Sequence, residues 1–158
     1  MKMLEIERKF LVKSEKFKSE AFKETRISQG YLNSDPHRAV RVRVYGNRGF
    51  LTIKGIADES GTTRFEWEKE IDLTEANSLM QLCEEGVIDK TRYEIKKGKH
   101  TYEVDEFYGD NEGLLVAEIE LSDPEESFEI PDWIGTEVTG DIRYYNSQLS
   151  KEPFKQWK

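Results

Sequence analysis

Residues 3–12 read MLEIERKFLV, and this short stretch decides the fold because charged and apolar side chains alternate along it. Glu5, Glu7 and Lys9 lie at every second position, and most of the residues between and beside them are apolar. Successive side chains of an extended strand point to opposite faces. The alternation therefore predicts a strand with one charged and one apolar face, the pattern of a half-buried sheet.

The same alternation recurs along most of the chain. It predicts eight strands, at residues 3–12, 26–32, 38–44, 50–55, 63–73, 89–97, 99–107 and 114–122. Glycine-containing turn signals separate several of them, at residues 46–49, 58–61, 97–98 and 109–113. Short turns between consecutive strands indicate hairpins, and hairpins indicate an antiparallel sheet.

Helical signals are fewer than strand signals. Ser14 is a candidate N-cap for a helix that runs to about Glu24, and Thr74 is one for a helix over residues 75–85. A third short helix is predicted around residues 145–151. Eight hairpin-linked strands and three short helices predict a mainly β (α+β) fold, an antiparallel barrel with the helices packed outside.

The composition limits the class of protein. Charged residues make up 35 % of the 158, against about 25 % in soluble domains, while 11 % aromatic residues argue against disorder. The net charge of −8 argues against general nucleic-acid binding, and the single cysteine excludes a disulfide framework or a cysteine-ligated zinc site. No apolar run approaches the length of a membrane-spanning helix, and the N-terminus is too charged for a signal peptide. We therefore expect one domain over residues 1–158, in the cytoplasm, with neither nucleic acid nor a membrane as partner.

The two signs of charge are concentrated in different parts of the chain. Residues 38–54 carry five basic side chains and no acid, whereas residues 100–141 carry 14 acids and neither lysine nor arginine. A solvated sheet face also shows polar alternation, but such a face would mix the two signs. Separate sets of carboxylates and bases suit a metal–polyphosphate ligand, because carboxylates bind Mg²⁺ or Mn²⁺ and bases neutralise phosphate. The charge pattern alone leaves both explanations open.

Residues 5–9 read EIERK, and further motifs follow in order through nearly the whole chain. They are QGYL at 29–32, VRVR at 40–43, LTIKG at 51–55, RFEWE at 64–68, KTR at 90–92, EVD at 103–105, AEIEL at 117–121 and EVTGD at 137–141. Together they resemble the CYTH superfamily, also called triphosphate tunnel metalloenzymes, and the short chain resembles its bacterial inorganic triphosphatase branch. The resemblance implies a closed eight-stranded antiparallel barrel with a charged lumen and a few helices outside. It also implies divalent-metal-dependent hydrolysis of inorganic tripolyphosphate to diphosphate and phosphate.

The resemblance further implies roles for individual residues. Six bases would hold the triphosphate: Lys9, Arg41, Arg43, Lys54, Lys90 and Arg92. One or two Mg²⁺ or Mn²⁺ ions would be bound by five acids: Glu5, Glu7, Glu118, Glu120 and Asp105. The implied catalytic set is Glu5, Glu7, Lys9, Tyr31, Glu66 and Glu68. Within it, Glu66 and Glu68 would orient bases or contact water beside the metal. Tyr31 would assist the attacking water or bind phosphate, unless it is a packed aromatic at a strand end.

Several alternatives stay open at this point. The substrate could be an organic triphosphate, such as thiamine triphosphate or a nucleotide, or the reaction could be the cyclisation of ATP by a class IV-type adenylate cyclase. A non-catalytic polyphosphate- or nucleotide-binding module belongs to a different class. Intact acids such as Glu5 and Glu118 argue against that module, because they would weaken anion binding. The oligomeric state is also open, with a homodimer among the options.

Overall fold

Antiparallel strands make up most of the structure. A computed structural model describes residues 3–157 of the chain. Its strands are β1 (Leu4–Val12), β2 (Lys23–Asn33), β3 (Arg38–Tyr45), β4 (Arg48–Ala57), β5 (Thr63–Ile71), β6 (Ile88–Lys97), β7 (His100–Phe107), β8 (Leu115–Glu120) and β9 (Ile134–Glu137). Its helices are α1 (Phe17–Glu20), α2 (Leu73–Met80) and α3 (Asn146–Lys151). None of the helices within residues 3–157 is long and apolar enough to cross a membrane.

Eight of these strands close into a barrel, which confirms the predicted fold class. Neighbouring strands follow the order β5-β4-β3-β2-β6-β7-β8-β1, and β1 pairs again with β5. Residues 4–6 of β1 pair with β5, and residues 7–11 pair with β8. The short strand β9, which alternation did not predict, joins the C-terminal end of β1. Because a closed barrel leaves no free edge within its ring, each strand has one face toward the lumen and one toward the outside.

The register of the barrel sets acids and bases opposite one another on its inner face. Lys9 of β1 lies opposite Glu118 of β8, and Lys54 of β4 lies opposite Glu66 of β5. Residues directly opposite on one face of an antiparallel pair have Cβ atoms about 4.5–5.5 Å apart. The charged side chains at alternate positions of each strand therefore face the lumen, where acids and bases from neighbouring strands lie side by side.

The outward face of β6, β7, β8 and β1 carries the main apolar core. Phe17 of α1 and Trp133, which precedes β9, are buried together with Tyr102 of β7. Their rings meet edge to face, with centroids 5.4 Å apart for Tyr102 and Trp133 and 5.9 Å apart for Phe17 and Trp133. This geometry adds to the stabilisation from buried apolar area. The cover on this face thus comes from α1 and from the segment between β8 and β9.

One end of the lumen is apolar instead of charged. Ile88, Phe107 and Val116 share the inward face of their strands with the lumen charges, and they pack with Tyr144 and Leu149 of the C-terminal segment. All five side chains are buried. Contrary to the expectation that every helix packs on the outer wall, α3 therefore helps to close one end of the barrel.

The first predicted helix is much shorter than its sequence signal indicates. In place of a helix from Ser14 to about Glu24, only residues 17–20 form α1. The N–H of Phe22 donates to the carbonyl of Glu94 at 2.9 Å, and β2 pairs with β6 from Lys23 onward. The sheet ladder satisfies the backbone that the helix would otherwise use, so pairing with β6 overrides local helix propensity.

The second predicted helix is shifted toward the N-terminus. Asp72 caps α2 in place of Thr74, and the side chains of Asp72 and Glu75 form a capping box. The helix ends at Met80, and the N–H of Glu84 then donates to a β2 carbonyl at 2.8 Å. The last predicted turn is therefore replaced by a connection that is fastened to the sheet.

The turn between β4 and β5 packs closely against the segment that follows β9. A Cβ at Gly61 would lie 2.2 Å from the Cα of Gly140, and the φ of Gly61 is +77°, which L side chains rarely adopt. We expect Gly61→Ala to lower the free energy of unfolding by about 3–4 kcal/mol in urea denaturation. Gly109→Ala is the matched control, because its φ is +63° but, apart from its chain neighbours, no atom of residues 3–157 lies within 4 Å of the added Cβ. That control should lose only about 1–2 kcal/mol, and equal losses would contradict the close packing of the two turns.

Candidate active site

The barrel encloses a cavity of about 240 Å³, which we call the lumen cavity, and its walls are largely charged. Predicted site residues from seven strands line it: Glu5, Glu7, Lys9, Tyr31, Arg41, Arg43, Lys54, Glu66, Glu68, Lys90, Arg92, Glu118 and Glu120. Of the predicted set, Asp105 alone does not line the cavity. The fold therefore gathers residues that are up to 115 positions apart in the chain, and their roles stay predictions.

Two arginines of β3, Arg41 and Arg43, line the lumen cavity. Oε2 of Glu68 lies 3.4 Å from Nη2 of Arg41 and 3.5 Å from Nη2 of Arg43. The Thr52 hydroxyl donates to the same oxygen at 2.7 Å. The Nε atoms of both arginines are buried without a hydrogen-bond partner in the described part of the chain. Burial and the positive charges of Arg41 and Arg92 lower the pKa of Arg43. This excess of buried donors marks a place for an anion.

Lys54 of β4 links two carboxylates from the neighbouring strands. Its Nζ lies 3.0 Å from Oε1 of Glu5 and 3.4 Å from Oε2 of Glu66. Burial and the negative charge of Glu5 raise the pKa of Glu66. Glu66 thus contacts Lys54 in the same way that Glu68 contacts the two arginines, which fits the orienting role predicted for both glutamates.

A second group of bases lies on β6 around Asp105 of β7. Both oxygens of Asp105 accept hydrogen bonds from Arg92, at 2.9 and 3.0 Å, and one of them lies 2.8 Å from Nζ of Lys90. All three side chains are buried. Burial lowers the pKa of Lys90 to about 7, and, although burial opposes it, the two cations hold the pKa of Asp105 down to about 2. Because both of its oxygens are engaged by bases, Asp105 is placed to position Lys90 and Arg92.

Glu7 of β1 and Glu118 of β8 both line the cavity, and each carboxyl group shifts the pKa of the other. Burial and the negative charges of Glu118 and Glu5 raise the pKa of Glu7 well above its usual range. Nζ of Lys9 lies 3.8 Å from Glu118, and this cation lowers the pKa of Glu118 even though burial opposes the change. We call these two carboxyl groups the Glu7–Glu118 pair; a divalent cation would relieve the repulsion between two carboxylates at this place.

The donors near this pair fit Mg²⁺ or Mn²⁺ bound together with a phosphate. Both ions prefer oxygen ligands, and Mg²⁺ typically uses one or two carboxylates together with waters and phosphates. Within residues 3–157, no three acidic, histidine or cysteine side chains converge closely enough to hold an ion by themselves. Glu120 lies opposite Glu7 in the register, and Glu5 precedes Glu7 on the same face of β1. The protein therefore supplies a partial set of oxygen ligands, which phosphate oxygens would complete.

The lumen cavity also contains residues that the sequence pattern did not single out. Tyr145, Asn146 and Ser147 of the C-terminal segment line it. The centre of the Tyr145 ring lies 5.2 Å from Nζ of Lys9 and also 5.2 Å from the Arg64 guanidinium. These residues belong to no alternating strand, because they enter the lumen from the start of α3. Only the position of α3 at the barrel end identifies them.

Known proteins of similar sequence and structure match nearly the whole chain. The family model of the CYTH domain matches residues 3–153. An inorganic triphosphatase of Acetivibrio thermocellus is 50 % identical over 155 residues, covering 98 % of this chain and 97 % of that protein. An inorganic triphosphatase of Nitrosomonas europaea is 36 % identical over 152 residues, covering 94 % and 97 %. The crystal structure of the inorganic triphosphatase NE1496 aligns with a TM-score of 0.62 at 34 % identity, covering 92 % of this chain and 96 % of that one.

Proposed function

The chain belongs to the CYTH domain family, and we propose from this that it is a divalent-metal-dependent triphosphatase that hydrolyses inorganic tripolyphosphate to diphosphate and phosphate. Two of its full-length relatives carry the name inorganic triphosphatase. The observation that carries the proposal is the lining of the lumen cavity, in which buried arginines with unfilled donors face the same space as the Glu7–Glu118 pair. A polyanion would pair with the arginines, and a divalent cation bound to it would pair with the two glutamates.

The bases of the lumen cavity would bind the three phosphates. They are Lys9, Arg41, Arg43, Lys54, Lys90 and Arg92. Arg41 and Arg43 would use their guanidinium groups, because these groups match the geometry of phosphate oxygens. Glu66, Glu68 and Asp105 would hold these bases in position before substrate arrives. Such preorganisation lowers the cost of gathering positive charge around the reacting phosphate.

Glu7 and Glu118 would hold the metal ion, with Glu5 and Glu120 close to it. When bound, Mg²⁺ or Mn²⁺ would neutralise charge on the phosphate oxygens and make the phosphorus more open to attack by water. Asp105, predicted from the sequence as a further ligand, is proposed instead to position Lys90 and Arg92, because its oxygens are engaged by them.

The attacking water needs a proton acceptor inside the cavity. Lysines engage the carboxylates of Glu5, Glu66 and Glu118, whereas Glu120 lines the cavity without a basic partner in the described part of the chain. Glu120 is therefore the carboxylate placed to accept this proton. Tyr31 is buried, and its hydroxyl oxygen accepts a hydrogen bond from Nε2 of Gln29 at 3.4 Å. Its O–H would therefore be able to donate to a phosphate oxygen or to the water.

The leaving diphosphate needs positive charge as its bond to the transferred phosphorus breaks. Nζ of Lys9 donates to the carbonyl of Tyr144 at 3.4 Å and keeps its remaining hydrogens for the cavity. Together with the arginines, Lys9 would stabilise the charge that develops on the diphosphate. No covalent intermediate is needed in this scheme, since water attacks phosphorus directly.

The lining favours inorganic tripolyphosphate over an organic triphosphate. A nucleobase or thiamine group would need an apolar or aromatic surface. The aromatic side chains that line the cavity are those of Tyr31 and Tyr145. The ring of Tyr145 already faces Lys9 and Arg64, and Tyr31 is buried. An organic triphosphate hydrolase or an adenylate cyclase would need a surface beyond these two rings.

Phosphate release from a substrate panel tests the proposed function. Tripolyphosphate, thiamine triphosphate, ATP and GTP would each be assayed with Mg²⁺, with Mn²⁺ and with EDTA. We expect a kcat/KM for tripolyphosphate at least about 100-fold above that for the others, because only the phosphates find partners in the cavity. Chelation should abolish turnover and added metal should restore it. A cyclic nucleotide product would select the cyclase, and tight binding without turnover of any compound would select the non-catalytic module.

A further inference from the structure

Asn146, at the start of α3, joins the closed end of the barrel to the bases of the lumen cavity. Its Oδ1 accepts hydrogen bonds from Nζ of Lys90 at 2.8 Å and from Nε2 of Gln29 at 3.0 Å. Lys90 and Gln29 are buried, with 1 % and 0 % of their surface exposed. Asn146 itself is one of the residues that line the cavity. Two buried donors from β2 and β6 therefore fix one atom of a residue that faces the substrate space.

These partners also determine which way the Asn146 amide points. In its protonated form Lys90 can only donate, so the atom of Asn146 that faces the ammonium is the oxygen. The amide nitrogen Nδ2 consequently points away from Lys90, and it makes no hydrogen bond within residues 3–157. Asn146 thus keeps two uncharged N–H donors beside a cavity whose other donors are mostly cationic.

The orientation of the Gln29 amide also supports this orientation of Asn146. Its Nε2 is directed at Asn146, and its Oε1 is buried without a hydrogen-bond partner in the described part of the chain. An unpaired buried acceptor is costly and is uncommon in native structures. If the Gln29 amide were rotated by about 180°, its Oε1 would face Oδ1 of Asn146, and two acceptors repel each other. The hydrogen bond from Nε2 to Asn146 therefore leaves Oε1 of Gln29 without a partner among residues 3–157.

We propose that Asn146 is a further substrate-binding residue, which donates from Nδ2 to a phosphate oxygen of the triphosphate while its Oδ1 holds Lys90. This inference rests on the proposed triphosphatase function. Two donors of different kinds, the Lys90 ammonium and the Asn146 amide, then act side by side on one phosphate group. The C-terminal segment would consequently bind substrate directly as well as close the end of the barrel.

Asn146→Asp and Asn146→Ala separate this role from mere support of Lys90. Aspartate keeps an oxygen for Lys90 and Gln29 but replaces the Nδ2 donor by a negatively charged oxygen that faces the phosphate. We expect the KM for tripolyphosphate to rise about tenfold in Asn146→Ala, the usual effect of losing a hydrogen bond to a charged group. It should rise further, to about 100-fold, in Asn146→Asp. In both variants kcat should stay within about threefold of the wild type, because the reacting water is bound elsewhere.

A purely supporting role predicts the opposite order. Asn146→Asp would then match the wild type, because Lys90 keeps its acceptor, and Asn146→Ala would be the weaker enzyme. Either that order or an unchanged KM in Asn146→Asp overturns the proposal. Gln148→Glu is the matched control, since it adds the same charge two residues further along α3 outside the cavity lining, and its KM should not change.

Two further measurements keep the test decisive. Calorimetric binding of tripolyphosphate in EDTA should show the same order of affinities without turnover, and thermal unfolding should show that each variant is folded. If Asn146→Asp fails to fold, Asn146→Ser replaces it, because a serine hydroxyl can still accept from Lys90 but lacks the second donor. A wild-type protein that hydrolyses no triphosphate would refute the proposed function, whereas an active wild type with unaffected variants would refute only the role of Asn146.

Discussion

Glu118→Ala should lower kcat for tripolyphosphate by about 10³-fold at saturating Mg²⁺ or Mn²⁺. Glu118 lines the lumen cavity together with Glu7 and lies 3.8 Å from Nζ of Lys9. The substitution removes half of the Glu7–Glu118 pair and the acidic partner of a base proposed to stabilise the leaving diphosphate. Both losses act on the same reacting phosphates, so the effect on the transition state should be large. Steady-state kinetics with metal titration measures it.

Two companion variants identify the cause of that loss. Glu118→Gln keeps the size of the side chain and removes its charge, so it should also be severely impaired and should need a higher metal concentration for half-maximal rate. Glu112→Ala removes an exposed acid from the connection between β7 and β8 and should leave kcat unchanged. If folded Glu118→Ala retained a kcat within tenfold of the wild type, the Glu7–Glu118 pair would have no place in the mechanism.

Asp105→Ala should destabilise the protein by about 3–5 kcal/mol, because it leaves buried cations without their counter-charge. Asp105 is contacted by Arg92 through two hydrogen bonds and by Lys90 at 2.8 Å, and all three side chains are buried. Urea denaturation measures the loss. Metal-free tripolyphosphate should recover part of it, since a bound polyanion would replace some of the missing negative charge near these bases.

Acid titration gives an independent check on Asp105. Its carboxyl has a pKa of about 2 in the folded protein, below the ordinary value of 3.8. A carboxyl with a lowered folded pKa contributes stability that is complete above the unfolded value and is lost as the pH falls through the folded one. The difference in unfolding free energy between the wild type and Asp105→Asn should therefore shrink between about pH 4 and pH 2. A difference that stays constant over this pH range for Asp105→Asn would contradict the ion-pair assignment.

Strand alternation made much of the barrel predictable. Glu5, Glu7 and Lys9 share one face of β1 because side chains of a strand alternate, and the closed sheet turns that face inward. Period-two patterning and turn glycines also located the other seven barrel strands, with differences of a few residues at their ends. The family motif then assigned candidate roles to the residues of the inner face.

Other features depend on long-range contacts that local patterns do not carry. Asp105 lies on the lumen face like a metal ligand, and only its contacts with Arg92 and Lys90 show that both oxygens are engaged. Likewise, Phe22 joins the ladder to β6 in place of extending α1, because a distant carbonyl satisfies its N–H. Asn146 reaches the cavity from a helix start, where no alternation marks it. In each case the competing partner is far away in the chain.

The pairing of β1 with both β5 and β8 also bears on how the protein is made. β1 is synthesised before the other strands of the barrel, yet its second neighbour is available only after residues 116–120 have been synthesised. Contacts between such distant segments form slowly, because a long loop of chain has to be ordered before they are gained. Until then the alternating charges of Glu5, Glu7 and Lys9 keep β1 from presenting a wholly apolar edge to other chains. We therefore expect the acids and bases proposed for chemistry in the folded protein to lower its tendency to aggregate during synthesis as well.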